Sequence, residues 1–328
     1  MRPGRRAPTV VPRRTDRLRL RPGTHRPPED TVSLTDDPST GGAVLGRRYR
    51  LVGPLGRGGS GDVLVAVDTR LDRRVAVKVF TLGTASPDEI RRYAHEARVL
   101  SGLAHPNLVA LLDVGADVLD GVGPVAFLVM ELVEGRTLRD TIAAGPLEPA
   151  LTADVGRQLA TALGHAHAAG VTHRDVKPSN VLVSSTAAPT GRGDAPWLPV
   201  VLADFGIASA TTAGATTPGR PVTGTTTGTA GYQSPEQALG REAGPSSDVY
   251  SLGLVLLECL TGERAYPGDA LTSSLARLLH PAEIPAELGP EWGRLLTAMT
   301  AQEPTRRPAT AAVAAELRAL RHVGPRVG

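Results

Sequence analysis

The sequence predicts an α+β chain whose strands lie mainly in the first half and whose long helices lie in the second. Residues 62–67 and 75–79 are rich in β-branched residues, which is typical of strands. Residues 151–169 are rich in alanine and leucine, and residues 247–260 are largely apolar; both segments are long enough to favour helices. Strands followed by helices in this order are typical of α+β proteins.

The first 45 residues differ in composition from the rest of the chain. They contain nine arginines and five acidic residues, a net charge of +4, and the whole chain carries +3, so the remainder carries −1. Arginine and proline without an apolar core predict a disordered tail and not a signal peptide. A nucleic-acid-binding domain would carry basic charge on a folded face, so no nucleic-acid partner is expected.

The cellular setting is predicted from features that the sequence lacks. Its single cysteine, Cys259, lies in an apolar segment, so neither a disulfide framework nor a cysteine metal site is expected. The longest apolar run, residues 252–260, is about half as long as a bilayer requires. We therefore expect a cytoplasmic protein without a membrane span. Because the chain ends soon after Arg321, we also expect no sensor domain.

A glycine-rich segment, residues 56–61, separates two predicted strands. Its Gly-x-Gly-x-x-Gly pattern also occurs in dinucleotide-binding proteins, but there it opens a helix, whereas residues 62–67 predict a strand. A Walker A loop is excluded because no Gly-Lys-Ser/Thr follows. The segment therefore joins two antiparallel strands, and its glycines allow the backbone to approach a triphosphate closely.

The chain has only two lysines, Lys78 and Lys177, among 36 lysine and arginine residues. Their rarity indicates positions where a compact ammonium group is needed and a guanidinium group cannot replace it. Lys78, in the predicted strand 75–79, is either an edge-strand residue with a solvated amine or a cation directed at phosphate. Glu96, on a helix predicted over residues 88–103, is its candidate carboxylate partner, because such a pair positions nucleotide phosphates. A further strand is predicted at residues 127–132; it is either a hinge facing adenine or an ordinary core strand.

The second half contains His-Arg-Asp-Val-Lys-Pro-Ser-Asn at residues 173–180 and Asp-Phe-Gly at 204–206. Gly-Thr-Ala-Gly-Tyr at 228–232 and Ser-Pro-Glu at 234–236 follow. With the glycine loop and the Val-Ala-Val-Lys strand, these motifs resemble those of Hanks-type protein kinases, specifically the bacterial serine/threonine branch. The resemblance implies a bilobal fold: a small β-rich lobe over about 46–132, a larger mostly helical lobe over about 133–322, and a short tail, residues 323–328.

The resemblance assigns catalytic roles to particular residues. Asp175 is expected to accept or orient the proton of the attacking hydroxyl, and Lys177 to steady the γ-phosphoryl group. Asn180 and Asp204 are the expected Mg²⁺ ligands. Thr229 resembles the threonine that bridges the catalytic aspartate and lysine, and a lysine at position 177 favours serine/threonine over tyrosine substrates. The alternative for His-Arg-Asp alone is a surface ion pair.

Two larger sets of residues follow from the same resemblance. Nucleotide contacts are expected from the glycine loop, the strand of Lys78 and the hinge: Leu55, Gly56, Arg57, Gly58, Gly59, Ser60, Gly61, Val63, Ala76, Lys78, Met130, Glu131 and Val133. Structural support for the catalytic centre is expected from Arg174, Phe205, Gly206, Glu236, Asp248 and Arg307. ATP with Mg²⁺, or with Mn²⁺ as a substitute, is the expected cofactor pair.

The segment between residues 204 and 236 is rich in threonine, glycine and alanine, which predicts disorder in the unmodified protein. Because Arg174 precedes Asp175, the resemblance implies activation by autophosphorylation, with Thr223 or Thr225 as the acceptor. The alternative is a threonine-rich loop that is only flexible.

Two other function classes fit part of the pattern. A pseudokinase would bind nucleotide without catalysis, but such proteins usually lack at least one of the residues that correspond to Lys78, Asp175 and Asp204. All three are present in this chain. A small-molecule phosphotransferase would normally lack the Gly-Thr-x-x-Tyr and Pro-Glu segments that receive a polypeptide. The sequence therefore favours a kinase with protein substrates. Similar kinases pair through their amino-terminal lobes, so a homodimer of this kind is a candidate that no residue here demonstrates.

Overall fold

The computed structural model describes residues 42–58, 61–82, 97–185, 197–205 and 230–321. Several predicted site residues lie outside these ranges: Gly59, Ser60, Glu96, Gly206, Thr223, Thr225 and Thr229. Residues 1–41 of the predicted amino-terminal tail and the short carboxy-terminal tail also lie outside them.

A six-stranded antiparallel sheet forms the amino-terminal lobe. Its strands are β1 (Val44–Leu45), β2 (Tyr49–Gly58), β3 (Gly61–Asp68), β4 (Arg73–Thr81), β5 (Leu111–Leu119) and β6 (Gly123–Glu131). Their spatial order is β1-β2-β3-β4-β6-β5. The alternating valines of β4 are buried in the core of this lobe, which is why this strand lies in the middle of the sheet. The strands predicted from residues 62–67, 75–79 and 127–132 are present, and the last ends at Glu131.

The sheet begins before the predicted domain boundary at residue 46. Val44 pairs with Arg50 and Leu45 with Tyr49, and Leu45 is fully buried in the lobe's core. Arg47, with a φ of 54°, lies in the tight turn that reverses the chain between these strands. A strand of two residues is too short to show an alternating pattern, so it could not be predicted from the sequence.

The larger lobe is mostly helical. Its helices are α1 (Leu138–Ala143), α2 (Pro149–Ala168), α3 (Pro235–Ala238), α4 (Pro245–Thr261), α5 (Ala270–Leu279), α6 (Gly289–Met299) and α7 (Thr310–Leu320). Proline in the first turn is compatible with the start of a helix. After α4 the chain continues with Gly262, whose φ of 78° makes it a left-handed cap. The bilobal α+β fold class is therefore confirmed.

Three helices meet closely in the core of this lobe. A Cβ atom added to Gly156 of α2 would lie 2.8 Å from a methyl carbon of Leu256 in α4 and 2.9 Å from one of Leu317 in α7. Only glycine allows this approach without displacement of both neighbours. No helix within the described ranges is long and apolar enough to cross a membrane.

A small three-stranded sheet lies where the two lobes adjoin. It consists of β7 (Gly135–Thr137), β8 (Val181–Ser184) and β9 (Val200–Leu202). β8 begins directly after Asn180, and β9 ends two residues before Asp204. The amides of Leu202 and Val109 bond to the carbonyls of Asn107 and Leu202, respectively, at 2.9 Å. This sheet therefore fixes the positions of both predicted metal ligands.

Candidate active site

The loop between α2 and β8 brings three predicted site residues together. Lys177 Nζ lies 2.8 Å from Asp175 Oδ2. Asn180 Nδ2 donates to the same carboxylate oxygen at 3.0 Å and to the Asp175 carbonyl at 2.9 Å. All three side chains are buried or half-buried, so these contacts are not those of a solvated surface ion pair. The loop ends in a short 3₁₀ turn, Pro178–Asn180, which directs the Asn180 side chain back towards Asp175.

The backbone of this loop is held by a buried carboxylate on α4. Asp248 accepts hydrogen bonds from the backbone amides of His173 and Arg174, each at 2.8 Å, and lies 2.8 Å from His167 Nε2. Arg174 has a φ of 68°, a left-handed conformation that is unfavourable for a residue with a side chain. The hydrogen bonds that Asp248 accepts therefore help to keep a strained backbone in place at the residue next to Asp175.

His173 connects the loop to the Asp-Phe-Gly segment. Its Nδ1 accepts from the Asp175 amide at 3.3 Å, so its Nε2, 3.0 Å from the Ala203 carbonyl, is the protonated nitrogen. The ring of Phe205 packs against the His173 ring, with a centroid distance of 4.6 Å. His173 thus ties the position of Asp175 to that of the neighbouring Asp204.

Lys78 joins the amino-terminal lobe to this centre. The residue is 3% exposed, and its amine forms an ion pair with Asp204 Oδ1. A buried amine directed across the lobes does not fit the alternative of a solvated edge-strand lysine. Asp204, like Arg174, has a left-handed backbone, with a φ of 66°. Glu96 lies outside the described residues, and the Lys78–Asp204 contact was not predicted from the sequence.

Strand pairing aligns the predicted nucleotide contacts. Val63 of β3 pairs with Lys78, and Ala76 of β4 pairs with Met130. Leu55 and Glu131 are exposed, whereas Ala76 is buried. A small cavity is lined by the Lys78–Asp204 pair and otherwise by apolar residues, including Leu100, Leu128 and Phe205. An exposed rim and an apolar interior are typical of a small-molecule cleft.

The donor set fits a magnesium–nucleotide complex. The Asn180 amide nitrogen is engaged by Asp175, so its oxygen is the atom that can coordinate a cation, together with the Asp204 carboxylate. Over the ranges that the structure describes, no group of three or more His, Cys, Asp or Glu side chains could hold a metal ion alone. Mg²⁺ is usually held by one or two protein ligands with substrate phosphates and waters.

A buried ion pair supports the site from the helical lobe. Arg307 donates to both carboxylate oxygens of Glu236, at 2.6 and 2.9 Å, and Ser247 Oγ donates to Oε1 at 2.7 Å. Burial alone would raise the pKa of Glu236, but the hydrogen bonds from Arg307 and Ser247 outweigh burial and lower this pKa to about 2. The carboxylate is therefore ionised at neutral pH, and the pair joins α3 to the chain just before α7.

Two supporting contacts were missed by the sequence analysis. Gln237 Nε2 donates to the Arg174 carbonyl at 2.9 Å, and Tyr232 donates its hydroxyl hydrogen to Glu258. Burial raises the pKa of both Tyr232 and Glu258. The capping box formed by Ser234 and Gln237 at the start of α3 was a readable pattern that would have located Gln237.

The chain belongs to the protein kinase family. A family model described as "Protein kinase domain" matches residues 49–317, which span both lobes and all the site residues described above. The resemblance stated from the motifs is thereby confirmed.

Several bacterial serine/threonine-protein kinases are similar to this chain. PknA of Mycobacterium tuberculosis is 42% identical over 270 residues, which cover 81% of this chain and 59% of PknA. PknL of the same species is 39% identical over 288 residues, 85% of this chain and 67% of PknL. PrkC of Bacillus subtilis is 36% identical over 247 residues, 75% of this chain and 35% of PrkC.

Proposed function

We propose that the chain is a protein kinase that transfers the γ-phosphoryl group of ATP to serine or threonine hydroxyls of proteins. The observation that carries this proposal is the hydrogen-bonded cluster of Asp175, Lys177 and Asn180, with the Lys78–Asp204 ion pair beside it. Phosphoryl transfer requires positioned charge more than covalent chemistry, and this cluster provides it. The similarity to kinases named for serine and threonine supports the substrate class.

Asp175 is the group that takes the proton of the attacking hydroxyl. Lys177 and Asn180 both contact Oδ2, so Oδ1 is the oxygen that can face the substrate. Lys177 carries its positive charge next to the reacting centre, where it offsets charge on the phosphoryl group. Thr229, outside the described residues, is proposed to bridge Asp175 and Lys177.

Bound ATP with Mg²⁺ supplies the phosphoryl group and neutralises its charge during transfer. Asn180 and Asp204 would hold the metal, and Mn²⁺, which also accepts oxygen ligands, is proposed as a substitute. Lys78, with Glu96, would hold the α- and β-phosphates. Lys78 pairs with Oδ1 of Asp204, so the other carboxylate oxygen, Oδ2, is the one that would coordinate the cation without breaking this ion pair.

The predicted glycine loop and hinge residues are proposed to complete the nucleotide site. The amide of Glu131 already donates to the Ala110 carbonyl at 2.9 Å, so adenine would meet the Glu131 carbonyl and the Val133 backbone. Val63 and Ala76 would pack on the base from the sheet side. The remaining predicted contacts come from the loop itself.

The proposed activation step is autophosphorylation at Thr223 or Thr225. Half-buried Arg174 adjoins Asp175, so a phosphate paired with it would order the threonine-rich segment next to the reacting centre. Phosphopeptide mapping of active protein should find phosphate on these threonines. Active protein without phosphate in residues 207–229 would contradict this part of the proposal.

A homodimer through the amino-terminal lobes is also proposed. β5 is an edge strand, and its outward residues Leu112, Val114, Ala116 and Val118 form an exposed, entirely apolar row. Such a row on an edge strand favours pairing with an identical strand. Sedimentation velocity should show a dimer that V114D/V118D converts to monomer; a monomeric wild-type chain would contradict the proposal.

The central test is incubation of the purified chain with γ-labelled ATP and Mg²⁺. Wild type should transfer label to serine and threonine, whereas K78M and D175N should not. D120N, which changes an exposed aspartate at the end of β5, serves as the matched control and should retain activity. Equal labelling by wild type and D175N would refute the assigned role. ATP binding without transfer by wild type would favour a pseudokinase.

A further inference from the structure

Helix α5 buries polar residues and exposes three of its four leucines. Ser273 and Arg277 are its buried residues, whereas Leu271, Leu275 and Leu279 are 69%, 50% and 72% exposed. An amphipathic surface helix normally has the opposite arrangement. The face of α5 that meets the helical lobe therefore presents hydrogen-bonding side chains in place of the exposed leucines.

Arg277 is fully buried and makes most of these hydrogen bonds. Its Nη1 donates to the carbonyl of Gln233 and its Nη2 to the carbonyl of Ala230. Nη2 also donates to Ser273 Oγ at 2.8 Å, and Nε donates to the Ser273 carbonyl at 3.1 Å. The guanidinium carbon lies 5.2 Å from the centre of the Tyr266 ring.

This buried cation has no ionic partner: across the described ranges, no carboxylate forms an ion pair with Arg277. Burial lowers the pKa of its guanidinium, and the neighbouring hydroxyls of Tyr250 and Tyr266 only partly offset this. Removing a charge from water costs several kcal/mol, so a buried charge held by neutral acceptors contributes little net stability. The role of Arg277 therefore lies in the groups that it holds in place.

Those groups are the two ends of one short turn. The bonded carbonyls belong to the first residue of the turn Ala230–Tyr232 and to the residue that follows it. On its other side the turn is held by α4, because Ser251 Oγ donates to the Tyr232 carbonyl at 2.7 Å and Tyr232 bonds to Glu258. Thr229 precedes the turn directly, and the catalytic loop is linked to the following helix through Gln237.

We propose that Arg277 is a positioning residue for the polypeptide substrate. It fixes the turn Ala230–Tyr232, part of the Gly-Thr-Ala-Gly-Tyr segment that receives the acceptor chain, in the geometry needed to present a hydroxyl to Asp175. This inference rests on the proposed kinase function. Because Arg277 contacts neither the nucleotide-binding strands nor the metal ligands, its replacement affects acceptor binding and leaves ATP binding unchanged.

The test is a steady-state comparison of R277K, R277Q and R277M with wild type. A degenerate serine/threonine peptide library first identifies an acceptor that the wild-type chain phosphorylates. KM for that peptide should rise about tenfold in R277M, which corresponds to about 1.4 kcal/mol. The KM values of R277K and R277Q should lie between those of wild type and R277M. KM for ATP and the rate of ATP hydrolysis without peptide should stay at wild-type values. R318M, a change of an exposed arginine on α7, is the matched control.

The outcomes separate this inference from the proposed function. A wild-type chain that phosphorylates no peptide and no protein contradicts the kinase function itself. An active wild type whose R277M and R277Q variants keep the wild-type peptide KM overturns the positioning role alone. The inference is also overturned if KM for peptide and KM for ATP rise equally while peptide-independent hydrolysis falls to the same extent. Failure of all three variants to fold would likewise make Arg277 a residue of general stability.

Discussion

Replacing Arg307 by methionine should destabilise the helical lobe more than replacing its partner Glu236 by glutamine. Arg307 bonds to both oxygens of Glu236 and also donates to the carbonyls of Ala301, Ser246 and Gln302, at 2.8, 3.0 and 3.0 Å. The arginine variant loses all of these bonds. The glutamine variant keeps the three carbonyl contacts, and its amide oxygen can still accept from Arg307.

The expected magnitudes follow from this asymmetry. R307M leaves a buried carboxylate with Ser247 as its remaining side-chain partner, and removal of one member of a buried ion pair costs about 3–5 kcal/mol. E236Q loses one charge-assisted contact, which costs about 2 kcal/mol. Since a folded domain is stable by about 5–15 kcal/mol, R307M removes a large part of the free energy of unfolding.

Urea unfolding followed by tryptophan fluorescence measures both values. The chain has two tryptophans, Trp197 and Trp292, and Trp292 is buried in α6 of the helical lobe. With a slope of about 3 kcal/mol per molar urea, the unfolding midpoint should fall by about 1–1.7 M in R307M. In E236Q it should fall by about half as much.

R294M provides the matched control. Arg294 is exposed and lies 3.5 Å from Glu316, whose side chain is 40% exposed, and such a surface pair contributes less than about 1 kcal/mol. The reasoning is refuted if R307M and E236Q shift the midpoint equally, or if R307M shifts it no more than R294M.

Three further predictions concern acid stability, packing and catalysis. The pKa of Glu236 in the folded protein lies near 2, below its ordinary value of 4.5, so its ionisation stabilises the fold fully above pH 4.5. This stabilisation is lost as pH falls towards 2. Urea unfolding midpoints should therefore decline between pH 4.5 and 2 in wild type, and less in E236Q. Gly156→Ala places a methyl group 2.8–2.9 Å from carbons of Leu256 and Leu317, so the free energy of unfolding should fall by about 1–3 kcal/mol, and an unchanged urea midpoint would contradict the packing argument. D175N should lower kcat by about 10²–10⁴-fold with KM for ATP unchanged in steady-state assays, and an equal loss in ATP affinity would contradict a role in proton transfer.

The sequence predicted the chemistry of the site better than its geometry. Asp175, Lys177 and Asn180 occur within six residues of one another, so their spacing along the chain already restricts them to one loop. Lys78 and Asp204 are 126 positions apart, and only the folded chain shows that they form an ion pair. Long-range contacts of this kind leave no periodic pattern for sequence reasoning to detect.

Two of the strands that were not predicted, β1 and β5, lack the usual sequence pattern of a strand. β1 has two residues, and β5 alternates between half-buried and exposed residues although its exposed row is apolar. Sequence patterns identify strands by the contrast between apolar and polar positions. β5 has this contrast in inverted form, since Leu112 and Val114 are exposed while Asp113 contacts Tyr49 and Arg48.

Arg277 illustrates a different limit of the sequence. The sequence of its helix has leucines at a spacing of four, which is typical of an amphipathic helix whose leucines face the core. Which face is buried depends on the carbonyls of Ala230 and Gln233, which form a polar surface that the guanidinium can satisfy. The inverted face follows from the tertiary environment and not from the pattern within the helix.

The strained backbone of the site explains why supports from two helices, α3 and α4, converge on it. Arg174 has a left-handed conformation, and such conformations cost about 1–3 kcal/mol unless the surroundings enforce them. Its amide is held by Asp248 of α4 and its carbonyl by Gln237 of α3. α3 is held in turn by the Glu236–Arg307 pair, so partial loosening of that pair should release Arg174 before the lobe unfolds. E236Q should therefore lower kcat at urea concentrations where its tryptophan fluorescence is still that of the folded state, whereas R294M should not.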